Sequence, residues 1–129
     1  MKYYQVLINS ENRQQAANIL DHLITQRLVI GGPVFNGPAK FLWEGTLMDM
    51  DYCLIVTYTR EDKKASLIDV AEKASTEKVC MISFLPLEGN APLLKLIDDE
   101  LTTPAGSAPR PEYQDRLPVV TWRARVITH

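Results

Sequence analysis

A chain of 129 residues with 46% hydrophobic and 23% charged side chains is long enough to bury one core without staples. It has neither the composition of a disordered segment nor that of a membrane protein. Its formal net charge of -2 lacks the basic surplus with which general nucleic-acid binders displace phosphate counterions.

The chain opens on Tyr3 to Ile8, a β-rich run ending at Asn9-Ser10-Glu11-Asn12. It is too short for a signal peptide and reads as a first strand. No run approaches the roughly 18 apolar residues of a membrane span, so no membrane association is expected. From Arg13, Ala16, Leu20 and Leu23 recur at helical spacing, widened by Ile19 and Ile24. Asn12 suits the N-cap of this helix, with Gln15 three residues on, and the helix is expected to end near Arg27.

From Leu28 to Thr59 the pattern is extended. Gly31-Gly32-Pro33 and Asn36-Gly37-Pro38 interrupt it, which predicts a bent or bulged strand. Phe41-Leu42-Trp43 leads to Met48-Asp49-Met50-Asp51, read as a turn, and then to Tyr52–Tyr58, apolar on both faces as in a covered central strand. Thr59 is the expected cap of a second helix that begins with Glu61 and Asp62 and buries Leu67, Val70, Ala71 and Ala74. Val79–Leu85 predicts a further central strand. Asn90-Ala91-Pro92 starts a helix carrying Leu93, Leu96 and Ile97.

The order β-α-β-β-α-β plus a helix defines an α+β, ferredoxin-like split βαβ domain over residues 1–101, with its helices expected on one face of an antiparallel sheet. Residues 102–129 read as an extended connection followed by a strand. In that strand Val120, Trp122, Ala124 and Val126 share one face, and Thr121, Arg123 and Arg125 the other. This strand is expected to add to a sheet edge of its own subunit or of a neighbour.

Three segments resemble the CutA divalent-cation tolerance family of the PII-like superfamily. Phe41-Leu42-Trp43-Glu44-Gly45 is similar to its aromatic-x-Trp-Glu-Gly signature. Leu85-Pro86-Leu87-Glu88-Gly89-Asn90 is similar to its Leu-Pro-Val-Glu-Glu-Gly-Asn segment, one acid shorter. Leu20–Leu28, closing on Gln26-Arg27-Leu28, is similar to its first helix. The resemblance covers about residues 2–101. It implies a non-enzymatic homotrimer closed through a long hairpin, with Trp43, Glu44 and Gly45 at the interface. It also implies a small ligand or divalent metal ion bound between subunits, near Gly31, Gly32, Gly37 and Lys40. The departures fall on the metal ligands. The family's cysteine after Arg-Leu is replaced in the stretch Val29-Ile30-Gly31-Gly32, and its His-Pro-Tyr-Glu by Ser75, Thr76, Glu77 and Lys78. The soft and imidazole donors that suit copper are therefore missing at those positions.

Elsewhere the chemistry is sparse. His22 is the one histidine in the body of the chain, the other being the final His129, and it reads as a surface or packing residue. Cys53 and Cys80, expected on neighbouring strands, read as inert thiols in a reducing, cytoplasmic setting. Glu44, Asp49, Asp51, Glu61 and Asp62 read as solvated or capping acids, not as a hard-cation site. No nucleophile–base pair is visible, so no enzyme is expected. A nucleic-acid-binding ferredoxin-like module is the alternative. It is weakened because Val79–Leu85 offers only Phe84 as a stacking residue.

Overall fold

The computed structural model describes residues 1–104, and the strand expected over 118–128 lies outside the described residues. Strand β1 (Tyr3–Ser10) is followed by helix α1 (Arg13–Thr25), strands β2 (Val34–Trp43) and β3 (Thr46–Arg60), helix α2 (Lys64–Ala74), strand β4 (Ile82–Pro86) and helix α3 (Ala91–Thr102). The four strands form one antiparallel sheet in the order β2-β3-β1-β4, the split βαβ arrangement.

Helix α1 starts where its cap predicts, with Asn12 Oδ1 accepting the Gln15 amide at 2.9 Å. Helix α3 starts the same way, with Asn90 Oδ1 accepting from the Leu93 amide at 3.1 Å and a proline in the first turn. Ala16, Ile19 and Leu23 of α1 and Leu67 and Ala71 of α2 meet Val6, Ile8, Cys53 and Ile55 of the sheet in one buried cluster. Each fully buried Leu, Ile or Val there contributes roughly 1.5–3 kcal/mol of transfer free energy.

Four expectations change. The second helix is not capped by Thr59. β3 runs on to Arg60, a short 3-10 turn spans Glu61–Lys63, and α2 follows. Thr59 is buried instead, its hydroxyl donating to the Leu28 carbonyl at 2.7 Å. The hairpin does not turn at Met48–Asp51, which lie inside β3. It turns at Glu44-Gly45, both at positive φ (49° and 80°), between the paired residues Trp43 and Thr46. Two left-handed residues are what a tight hairpin loop needs to match strand twist, and Gly45 takes one at no steric cost.

Cys53 and Cys80 are not on adjacent strands. β1 lies between β3 and β4, and Cys80 precedes β4, whose described start is Ile82 and not Val79. Finally, the helices do not share one face. Tyr3 pairs with Arg60 on the side of the sheet opposite Val6 and Ile8, and both reach Asp98 of α3. Helix α3 therefore covers that opposite face at the end where β1 begins and β3 ends. Its Ile97 and Leu101 are buried outside the α1–α2 cluster.

Candidate functional site

Strand alternation sorts the sheet into two unlike faces. Val6, Ile8, Cys53, Ile55, Thr57 and Thr59 point to α1 and α2 and are buried. The other face carries Leu7, Leu54, Val56 and Tyr58, all half-buried, with Phe35 (57% exposed) opposite Leu54 and Leu85 (42% exposed) beyond Gln5. Among the described residues only α3 lies on this face, at one end. Both faces of Tyr52–Tyr58 are apolar, as the sequence indicates, but only one is covered within the chain.

The hairpin is longer than the rest of the sheet. β1 ends at Ser10 opposite Cys53, so residues 46–52 of β3 and their partners on β2 project past it. There the chain forms a groove of about 430 Å3 between Trp43, Met48, Met50 and Tyr52 on the hairpin and Val79 and Met81 on the segment entering β4. Phe41 and Tyr52 rings stack tilted at 5.5 Å. The Tyr52 hydroxyl donates to Glu77 Oε1. Burial, that hydrogen bond and the Glu77 charge together push the Tyr52 phenol well above its ordinary value of 10.0. Glu11 and Glu77 line the groove, and Lys78 pairs with Glu44 at 3.3 Å.

The residues singled out in the sequence do not converge. Gly31, at φ +92°, and Gly32 lie where the chain runs alongside β3 before β2 begins. The Ile30 amide donates to the Tyr58 carbonyl at 3.3 Å and Val56 N to the Pro33 carbonyl at 3.0 Å. A Cβ on Gly32 would stand 2.0 Å from the Val56 carbonyl oxygen. These glycines admit a close backbone approach ahead of β2; the bulge expected at Asn36-Gly37-Pro38 does not occur, because β2 pairs with β3 in unbroken register from Val34 to Trp43. Gly37 is opposite Tyr52 with open space around it. Lys40, opposite Asp49 at 3.9 Å, is exposed farther up the hairpin. Val56 and Asp49 are separated by about 23 Å of strand, so the Gly31–Gly32 crossing and Lys40 do not share one cavity. Trp43, Glu44 and Gly45 do come together, at the hairpin tip.

Metal ligation finds no match. Among the described residues no three His, Cys, Asp or Glu side chains gather to hold an ion. His22 Nδ1 is committed to the Asn18 carbonyl at 2.8 Å, and Cys53 is buried. Burial raises the Cys80 thiol, which disfavours the thiolate that a soft metal needs. Phe84, the stacking residue that the sequence offered on this strand, pairs with Val6 on the helix-covered face, edge-on to Tyr4 at 6.2 Å.

One feature has no sequence signal. Arg60 is buried, donating to Asp62 at 3.0 Å, to Asp98 at 3.3 Å and to Thr102 at 3.1 Å. This ties α3 to the sheet through residues 38 and 42 positions away.

Together the sheet order, the overlong hairpin and the open apolar face define a ferredoxin-like α+β domain of the hairpin-bearing kind. The chain belongs to the CutA1 divalent ion tolerance protein family, whose sequence model matches residues 4–100. No curated protein matches the chain by sequence. Among solved structures it is similar to the periplasmic divalent cation tolerance protein CutA from Archaeoglobus fulgidus, with 21% identity and a TM-score of 0.73 over 77% of this chain and 98% of that one. It is also similar to CutA1 from Ehrlichia chaffeensis, with 16% identity and a TM-score of 0.72 over 78% and 97%. A third is the Thermus thermophilus divalent cation tolerance protein, with 22% identity and a TM-score of 0.66 over 73% and 93%. At these identities the likeness is one of fold. No helix among the described residues is long and apolar enough to cross a membrane.

Proposed function

We propose that this chain is a non-enzymatic, self-associating CutA-like protein. Three copies close on their open sheet faces and hairpins, and the assembly responds to a small ligand or divalent ion held between subunits. The observation that carries this reading is the apolar face of Leu7, Phe35, Leu54, Val56 and Leu85, which the described part of the chain leaves uncovered. Contiguous exposed apolar surface of this kind marks an interaction site, and a projecting two-stranded hairpin is marginal unless it packs. Threefold closure accommodates both through one repeated contact. No metal-binding donor set gathers among the described residues of one subunit, which accords with an ion that draws ligands from more than one copy. A cytoplasmic setting belongs to the same proposal, supported by two free cysteines.

Native mass spectrometry tests it directly. A mass of about 44 kDa, three chains of 14.6 kDa, is expected, with a stoichiometric increment on adding the responsible ligand from a panel of copper, zinc and adenine nucleotides. A monomer at micromolar concentration overturns the assembly.

A further inference from the structure

Past the end of β1 at Ser10, residues 46–52 of β3 pair with β2 alone among the described residues, and a two-stranded ribbon is marginal by itself. Its pose against the rest of the domain therefore has to come from side chains. Two consecutive residues of the segment between α2 and β4 supply ties. Tyr52, at the root of the projecting part, donates its hydroxyl to Glu77 Oε1, and Lys78 pairs with Glu44, at the turn, at 3.3 Å. Tyr52 and Thr46, next to that turn, are about 20 Å apart along the strand, so the ribbon is held near both ends.

The segment that does the tying is itself fixed. The Ser75 amide donates to the Ala71 carbonyl at 3.0 Å, and the Ser75 hydroxyl accepts from the Glu77 amide at 3.2 Å. Thr76 Oγ1 donates to Glu11 at 3.4 Å, and the Asn9 amide donates to the Met81 carbonyl at 3.0 Å. Glu77 thus stands on a short stretch held to α2 at one end and to β1 at the other. Its bond to Tyr52 is the stronger tie, because a half-buried hydrogen bond to a carboxylate outweighs a screened surface ion pair. The Lys78 and Glu44 side chains are 76% and 63% exposed.

We propose that Glu77 is the positioning residue of the hairpin: through Tyr52 it straps the projecting ribbon to the segment entering β4, and so sets the surface on which copies of this chain close. The second half rests on the self-association proposed above. The first does not, because the bond lies within one chain. The strap acts on the surface through strand alternation. Tyr52 shares its side of β3 with Met48, Met50, Leu54 and Val56. A turn of the ribbon about Tyr52 therefore carries Met48 and Met50 with it, and decides whether they continue the open face of Leu54 and Val56 or tilt away from it. A ring repeats one contact at every subunit, so each copy meets the same error in that tilt. Ordering the ribbon before association lowers the cost of closure.

Two backgrounds separate the halves. In Leu54→Asp, expected to be a single chain, hydrogen exchange of the β2–β3 ladder over residues 41–50 reads the strap alone; wild type diluted to a single chain serves where that variant does not fold. There Tyr52→Phe and Glu77→Ala each speed ladder exchange about fivefold, and the double variant exchanges no faster than either single. Glu77→Gln, which keeps an acceptor for the hydroxyl, restores most of the protection, and exchange in β1 stays unchanged. In the wild-type background, Tyr52→Phe and Glu77→Ala raise the chain concentration at which half the assembly dissociates by about the same factor, and Glu77→Gln does not. Ladder exchange that is unchanged in both Tyr52→Phe and Glu77→Ala overturns the strap. Faster exchange with unchanged dissociation overturns its role in closure. A wild type that is a single chain at micromolar concentration refutes the assembly instead, and the exchange arm then decides the strap by itself.

Discussion

Gly32→Ala isolates what the glycine pair before β2 does. The added methyl carbon would lie 2.0 Å from the Val56 carbonyl oxygen and 3.1 Å from its carbon. Both are backbone atoms of a strand paired on each side, so β3 cannot give way and the crossing segment must move. Moving it disturbs two main-chain hydrogen bonds, Ile30 to Tyr58 and Val56 to Pro33, and the Thr57 hydroxyl bond to the Gly31 carbonyl at 3.0 Å. At about 1 kcal/mol net for each bond, partly lost, plus overpacking strain of 1–3 kcal/mol, the expected destabilisation is about 2–4 kcal/mol. That is a large share of a typical stability of about 5–15 kcal/mol. Urea unfolding at fixed chain concentration reads it as a midpoint drop of about 1–2 M. Gly37→Ala is the control, since nothing lies within 4 Å of its added Cβ; it should shift stability by less than about 0.5 kcal/mol. If Gly32→Ala unfolds like the wild type, the crossing is not sterically locked and the glycine pair needs another explanation.

Leu54→Asp puts a charge in the middle of the open face, and the native mass should fall to one chain while the far-ultraviolet dichroism persists; an unchanged assembly would place the contact elsewhere. Asn90→Ala removes the cap from α3 and should cost about 1 kcal/mol by chemical denaturation. Tyr52→Phe deletes the bond to Glu77 and should cost about 0.5–1.5 kcal/mol. Because the folded phenol is raised above its ordinary 10.0, the wild type's advantage over Tyr52→Phe is whole below pH 10 and shrinks as pH climbs toward the folded value. A difference that stays flat to pH 11 would contradict the Tyr52–Glu77 coupling. Asp62, where burial acts against the stronger hold of Arg60, keeps a lowered carboxyl value. Its contribution should be lost as pH falls below about 3.8, and Asp62→Asn should abolish that acid dependence.

What the sequence by itself determined is what local physics controls. Asn12 and Asn90 cap the helices that follow them because a cap and its amides lie three residues apart. Ala16, Ile19 and Leu23, and Leu67 and Ala71, fall on buried faces because helical periodicity is fixed by backbone geometry. The order of elements then leaves few topologies, and the split βαβ sheet is among them. The tertiary structure decided the rest. Met48–Asp51 looked like the turn, but strand register placed the bend at Glu44-Gly45. Thr59 looked like a cap, but burial against Leu28 kept it in β3. Helix α3 was expected with the other helices, yet Arg60, Asp98 and Tyr3 hold it on the opposite face. The groove unites residues from two hairpin strands with a segment some 30 positions later, and Gly31, Gly32, Gly37 and Lys40 spread out along one edge. Each of these outcomes depends on which distant residue a side chain meets, and no periodicity within a segment encodes that.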